Sequence, residues 1–298
     1  MPTASINNHE MYYEIHGSGA PAVCMGGWGT YCHGGERGLA RGLTDQYKVL
    51  VFDYRGIGQS TDDPCAPASM RLYAEDLIRL LDYLNWTNVH LIGLVGMGCC
   101  IGQEVAINRP DLVRSMVNMG AWASCDEYLS DQLNLFRCVH RDSGFLTFQE
   151  FVCIYSFLPE FYNQTKHLLL GPDGQCRVLK DNYVTHERLV EACLTHDTIE
   201  RLESVQAPTL IIHAAKDMVT GPRTTLPLEW GINGAEGVTM KDVAHVVAGK
   251  EQKIEFCNIL FHSWLNIRFL FAIVVVYFLP TGNDEEIKSY FPALEELC

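Results

Sequence analysis

The sequence predicts an α/β fold: a mostly parallel, twisted sheet with helices on both faces and an inserted helical cap. Two observations carry this. Short apolar runs of strand length alternate with runs of helical period, the pattern of a parallel sheet covered on both faces. That rhythm breaks between Ala123 and about Val205, where an aromatic-rich stretch reads as several short helices, and then resumes.

Taken in order, HEMYYEIHG (9–17) alternates after the turn pair Asn7-Asn8, which predicts a short edge hairpin. PAVCMGG (21–27) and YKVLVFDY (47–54) are buried-strand runs ending in glycine-rich or polar turns. SMRLYAEDLIRLLDYLN (69–85) places Leu72, Leu77, Leu80, Leu81 and Leu84 at helical spacing. NVHLIGL (88–94) is the next strand and GMGCCIGQEVAINR (96–109) the next helix. VRSMVNMGA (113–121) and APTLIIHAAKD (207–217) are further strands. The resulting division is a first core part at 1–122, a helical cap at 123–205 with a turn at GPDGQ (171–175), a second core part at 206–266, and a C-terminal extension at 267–298. The cap separates two core strands. It is therefore expected over the carboxyl edge of the sheet, where ligands bind in open α/β folds.

Composition narrows the partners. The chain has 298 residues, 48% of them apolar, enough for a sizeable core. Its formal charge of −14 argues against nucleic acid or an anionic membrane and favours a small-molecule ligand. The twelve cysteines include no C-x-x-C pair, so a zinc or thioredoxin-like site is not expected. The opening MPTASINNHEMYYEIHGSG lacks the apolar run of a secretion signal, and a cytoplasmic protein with reduced cysteines is expected. FLFAIVVVYFL (269–279) is uncharged but shorter than the roughly 20 residues of a spanning helix. It reads as a buried strand or helix, with a weak interfacial contact or an appended tail as alternatives. The sequence leaves the oligomeric state open.

The chemistry gathers at strand ends. MGGWGT (25–30) offers glycine backbone N–H groups to a ligand. DYRGIGQS (53–60) carries Asp53, Arg55 and Ser60, of which Asp53 and Arg55 read as structural. KDMVTGP (216–222) sets Asp217 just past a late strand, and VAHVVAGKEQKIEF (243–256) sets His245 on a loop before a last helix. No metal-ligand cluster and no phosphate-cradling loop is present, so no metal or organic cofactor is implied.

In this order the features resemble the α/β-hydrolase superfamily over roughly residues 5–265, specifically its capped single-domain branch of esterases, lactonases and carbon–carbon hydrolases. In that family a late Asp orients a His, which activates a Ser at a G-x-S-x-G elbow. The resemblance assigns the Asp and His to Asp217 and His245. It assigns oxyanion or substrate contacts to Trp28, Gly27 and Met97.

The elbow departs from the family. Counting forward from the strand puts the nucleophile slot at Val95; counting back from the helix puts it at Gly96. The stretch thus carries one extra residue. An apex at positive φ suits glycine and penalises valine, so Gly96 is the expected apex, with the extra residue absorbed as a bulge at the strand end. Neither residue is a nucleophile. A helix N-terminus lowers a thiol pKa, but Cys99 and Cys100 lie three and four residues past the Gly96 slot, within the helix rather than at its tip. They read as small packing residues, with a displaced cysteine nucleophile as the alternative. His33 reads as an exposed helix-start residue.

Three functional readings stand. One is an enzyme without covalent catalysis, in which the His245–Asp217 dyad acts as general base and acid on a small carbonyl, ester or lactone compound. That suits lyase, isomerase, cyclase or water-activating chemistry. The second is a non-catalytic protein that binds a small ligand. The third is a hydrolase using a displaced cysteine.

Overall fold

The computed structural model describes residues 2–27, 43–170 and 182–247. Among them the strands are β1 (Thr3–Ile6), β2 (His9–His16), β3 (Ala20–Met25), β4 (Tyr47–Phe52), β5 (Val89–Gly93), β6 (Val113–Met119), β7 (Thr209–Ala214) and β8 (Glu236–Met240). The helices are α1 (Leu43–Gln46), α2 (Met70–Leu84), α3 (Met97–Asn108), α4 (Glu127–Ser143), α5 (Phe145–Ser156), α6 (Pro159–Leu170), α7 (Tyr183–Leu194) and α8 (Pro222–Gly231). The strands form one sheet in the order β1-β2-β4-β3-β5-β6-β7-β8. β2 pairs antiparallel with β1 and β4, and every other pairing is parallel. The expected fold class is the observed one.

Local chemistry explains the elements. Asn7 and Asn8 sit at φ 43° and 62°. A two-residue type I′ hairpin needs positive φ at both positions, and asparagine tolerates it. Ser69 caps α2 by accepting the Leu72 N–H at 3.1 Å, and Asn85 ends it in a left-handed conformation. The central strands are buried on both faces. Val23, Met25, Val89, Leu91 and Met116 face an apolar cluster shared with α2 and α3, while Ala22, Cys24, Ile92, Val117 and Met119 face a second cluster.

Arg55 and Asp76 bolt the loop after β4 to α2. Arg55 donates to both Asp76 oxygens, at 2.6 and 3.0 Å, and to the Asn7 carbonyl at 3.0 Å. Asp53 accepts the Gln59 N–H at 2.8 Å and so closes its own loop.

Besides the four-residue α1, two elements went unread in the sequence. In β8 only Met240 is buried, so no apolar run marks it. α8 holds Pro227 inside and begins on Pro222, which masks its helical period.

Helices α4–α7 fill the interval between β6 and β7. Both ends of this insertion meet in a short neck, with Ser124 bridged to Asp197 and the Thr198 N–H donating to the Ala123 carbonyl at 2.8 Å. The insertion reaches three loops at the carboxyl edge of the sheet. α7 touches the loop after β4, through Thr185 on the Gly56 carbonyl and Arg188 on the Ala66 carbonyl. α4 touches the loop after β7, through Gln132 on the Met218 carbonyl at 3.4 Å. The Ser156 carbonyl at the end of α5 accepts the Val246 N–H at 3.0 Å. The expected turn at 171–175, the last helix after His245, the apolar run 269–279 and the extension 267–298 lie outside the described residues. No described helix is long and apolar enough to cross a membrane.

Three buried histidines predict the pH dependence of stability. Burial holds His90 and His196 down to about 4 and, with His140 alongside, His186 to about 3. Unfolded, each titrates near 6.5. Below that pH the unfolded chain takes up protons that the folded chain refuses. Stability is therefore complete above about pH 6.5 and lost as pH falls toward about 4, by up to about 1.4 kcal/mol per pH unit per histidine. Urea unfolding at pH 7 and pH 5 checks this; a midpoint that is level or rises on acidification contradicts it.

Candidate active site

The elbow is built by close approach. A Cβ on Gly93, the last residue of β5, would lie 2.7 Å from the Cys99 Cα. A Cβ on Gly98 would lie 2.6 Å from the Met25 carbonyl oxygen. Glycine at both positions presses the first turn of α3 against β5 and β3. The chain reverses in the three residues between strand and helix, and Gly96 stands at the apex with φ 49° and ψ −106°. The Gly96 N–H donates to the Gly120 carbonyl at 2.9 Å.

Val95 is not among the residues at positive φ. Its Cγ1 lies 3.4 Å from where a Cβ on Gly27 would stand, so it packs beside Gly27, just past β3. The expected bulge at the end of β5 is not found. The ladder irregularity lies at its start, between Val89 and His90, and β5 simply ends at Gly93. Leu94 and Val95 are taken up in the connection, where the Leu94 N–H still bonds to the Met25 carbonyl at 3.1 Å. A longer connection absorbs an extra residue without breaking a pairing, which a bulge would do.

The slot itself is not open space. A Cβ on Gly96 would lie 3.3 Å from Cζ3 of Trp122, whose ring is almost wholly buried. The indole thus crowds the position from which a side chain at the apex would start.

Asp217 follows β7 and His245 follows β8, both at the carboxyl edge. His245 Nδ1 lies 2.9 Å from Asp217 Oδ2. Asp217 Oδ1 accepts the Val219 and Thr220 N–H groups at 2.7 and 2.9 Å. The Thr220 hydroxyl donates to Asp217 Oδ2 at 3.2 Å, and its oxygen lies 3.1 Å from His245 Nδ1. Burial pushes the Asp217 carboxyl up, but the imidazole and the two backbone donors outweigh it and hold the group below the usual carboxylate range. An ionised Asp217 accepts only, so Nδ1 carries the proton and Nε2 presents a lone pair. Gly120, at φ 64°, lies beside the imidazole: a Cβ there would be 3.5 Å from His245 Cε1. Apex and imidazole therefore flank the same glycine.

Cys99 and Cys100 are fully buried. Their thiols donate to the Met119 and Trp122 carbonyls at 3.1 and 3.6 Å. Burial pushes the Cys99 thiol up to about 12 and the Cys100 thiol well above its ordinary value. Neither forms a thiolate near neutral pH, and the geometry gives the displaced-cysteine reading no support. Met97, the first residue of α3, leaves its N–H without a partner among the described residues, as a helix start does. The Gly98 N–H is taken by the Gly26 carbonyl at 3.1 Å. Trp28 and His33 lie outside the described residues. No cluster that could hold a metal occurs among the described residues.

Sequence reasoning missed Trp122, Thr220, Gly120 and Gln132. Only Thr220 had a local signal, three residues after an Asp whose side chain can cap the turn. The others come to the site through the fold.

The family model for the alpha/beta hydrolase fold matches residues 16–137. Among curated proteins, one named carbamate hydrolase RutD from Azorhizobium caulinodans is 27% identical over 264 residues, covering 87% of this chain and 98% of its own. A protein of the same name from Pseudomonas savastanoi is 28% identical, covering 71% and 81%. Among solved structures, the enol-lactonase of Burkholderia xenovorans LB400 superposes with a TM-score of 0.74 at 20% identity, covering 89% of this chain and 98% of that one. MGS-M2, an α/β hydrolase from a Medee basin deep-sea metagenome, gives 0.76 at 20% identity, covering 91% and 99%. At that identity the two structures speak for the fold.

Gly96 yields a direct test. Gly96→Ala forces a Cβ into a strained conformation against Trp122 and is expected to destabilise by about 1–3 kcal/mol. Val95→Ala, at an ordinary φ and only partly buried, should stay within about 1 kcal/mol. Chemical denaturation of both compares them, and a larger loss at Val95 would move the apex to that residue.

Proposed function

The chain belongs to the α/β-hydrolase superfamily, and from that premise we propose that it is an enzyme that hydrolyses a small carbonyl compound without a covalent intermediate. The observation that carries this reading is the His245–Asp217 pair at 2.9 Å, with Nε2 uncommitted and a glycine at the elbow apex. In the proposed step Nε2 takes a proton from water as the water oxygen attacks the carbonyl carbon. The resulting oxyanion is met by the backbone N–H of Met97 at the start of α3. The imidazolium then returns the proton to the leaving alcohol or amine, and the carbonyl fragment departs as an acid. Asp217 stays ionised throughout and stabilises the imidazolium.

The relatives' name supports a carbamate as the substrate class, within the ester-like carbonyls that such a dyad can serve. Helices α4–α7 act in this reading as the cap that shapes the pocket. The same dyad without a bound water would serve lyase, isomerase or cyclase chemistry. A non-catalytic ligand-binding role draws on a different observation, Trp122 crowding the elbow apex.

Turnover of phenyl carbamate and phenyl acetate, with thermal shift as the binding readout, separates these readings. His245→Ala is expected to lower turnover by about 10²–10⁴-fold and to leave the ligand-induced shift nearly intact. A fluorophosphonate probe should label no serine, since none stands at the apex. Stoichiometric labelling, or full turnover by the alanine variant, would sink the proposal. A shift without turnover in the unaltered protein would favour the binding role.

A hydroxyl alone should not restore covalent chemistry. Gly96→Ser is expected to react with the probe only when Trp122→Ala clears the slot; labelling of the single variant would show that the indole is no obstacle.

A further inference from the structure

We propose that Thr220 is a positioning residue that, with Asp217, fixes which ring nitrogen of His245 faces the site and keeps the ring from swinging. The idea rests on the reading of His245 as the base, but its first test needs no substrate.

Proton counting sets the arrangement. Asp217 is ionised and its Oδ1 is filled by two backbone donors, so its Oδ2 faces Nδ1 as an acceptor at 2.9 Å. Nδ1 must therefore carry hydrogen. Thr220 has one hydroxyl hydrogen and two neighbours that could take it, Asp217 Oδ2 at 3.2 Å and His245 Nδ1 at 3.1 Å. Because Nδ1 already bears a proton, the hydroxyl donates to Oδ2 and turns a lone pair to the Nδ1–H. The three groups close a triangle in which each polar contact is matched.

Asp217 alone would leave a hinge. One hydrogen bond lets the imidazole pivot about the Nδ1···Oδ2 line. The Thr220 oxygen gives a second point of contact off that line, and a flipped ring would present carbon to both oxygens. Thr220 is 1% exposed, so its hydroxyl has no water to turn to and losing either partner strands it. Gly120 keeps the space clear: a Cβ there would stand 3.1 Å from Thr220 Oγ1 and 3.5 Å from His245 Cε1. The left-handed φ of 64° at that position excludes most other residues as well.

The experiment is nitrogen NMR on histidine-labelled full-length protein, with the His245 signals identified by their loss in His245→Gln. In the neutral ring Nδ1 should be protonated and Nε2 bare, with the Nδ1–H proton protected from exchange. Thr220→Val keeps the shape and removes the hydroxyl; its Nδ1–H signal should broaden away, and Thr220→Ser should restore it. Gly120→Ala disturbs the triangle from the other side and should broaden the same signal, which covers the case of a valine variant that does not fold. Where turnover is measurable, Thr220→Val should lower kcat about tenfold with KM within about twofold, and Thr220→Ser should recover most of that loss.

A ring protonated on Nε2 in the unaltered protein overturns the proposal. So does a Thr220→Val protein whose Nδ1–H signal is unchanged, or equal damage from the valine and serine variants. Absence of turnover in the unaltered protein counts against the hydrolase reading alone, because the NMR result still decides the role of Thr220.

Discussion

The geometry of the site depends on how closely the first turn of α3 is pressed into the end of the sheet. Two contacts set that distance, Gly93 against the Cys99 backbone and Gly98 against the Met25 carbonyl, and both are shorter than any side chain allows. With α3 held there, Leu94, Val95 and Gly96 must reverse the chain without room to spread. The apex takes φ 49° and ψ −106°, which only glycine adopts without strain. The apex in turn hands its N–H to Gly120, and Gly120 borders the imidazole. A side chain on Gly93 or Gly98 would have to push α3 away from the sheet and, with it, the floor of the site.

What the sequence made legible was whatever depends on neighbours along the chain. The Asn7-Asn8 hairpin, the period of α2, the buried strands and the glycine preference of the apex all follow from local sterics and apolar spacing. The pairing of Asp217 with His245 was legible through their order in the chain, which the resemblance supplied. Contacts made by distant segments were not. Trp122 reaches the slot because β6 ends beside β5, and nothing in its own neighbourhood announces that. The bulge expected at the end of β5 failed for a related reason: the extra residue went to the connection, whose length the ladder does not constrain. β8 escaped notice because a parallel edge strand with one buried side chain has no apolar signature.

The insertion is tied to both halves of the dyad. Gln132 of α4 bonds to the carbonyl of Met218, the residue after Asp217, and the end of α5 bonds to the N–H of Val246, the residue after His245. Phe157, Cys153 and Leu169 form a small apolar cluster against which Val246 packs. A displacement of the α4–α5 pair would therefore be felt by both loops. Shape selection in the proposed cap and positioning of the proposed base are mechanically one problem, because the insertion bonds to the backbone of both loops that carry the dyad.

The retained dyad bears on whether the site works or only records ancestry. A buried carboxylate costs several kcal/mol in desolvation unless its lone pairs are filled, and replacing buried ionic groups with apolar ones is often neutral or stabilising. Asp217 is fully buried as a side chain, yet all its acceptor sites are occupied, by two backbone N–H groups, a hydroxyl and an imidazole. Such a constellation supports the proposed role of His245 as a base. The elbow apex is different: glycine avoids the strain that a side chain would store there, and an indole packs close against it. Strain relief and filling at one point, beside full electrostatic upkeep at another, is what a site that has exchanged a covalent step for general-base chemistry would contain.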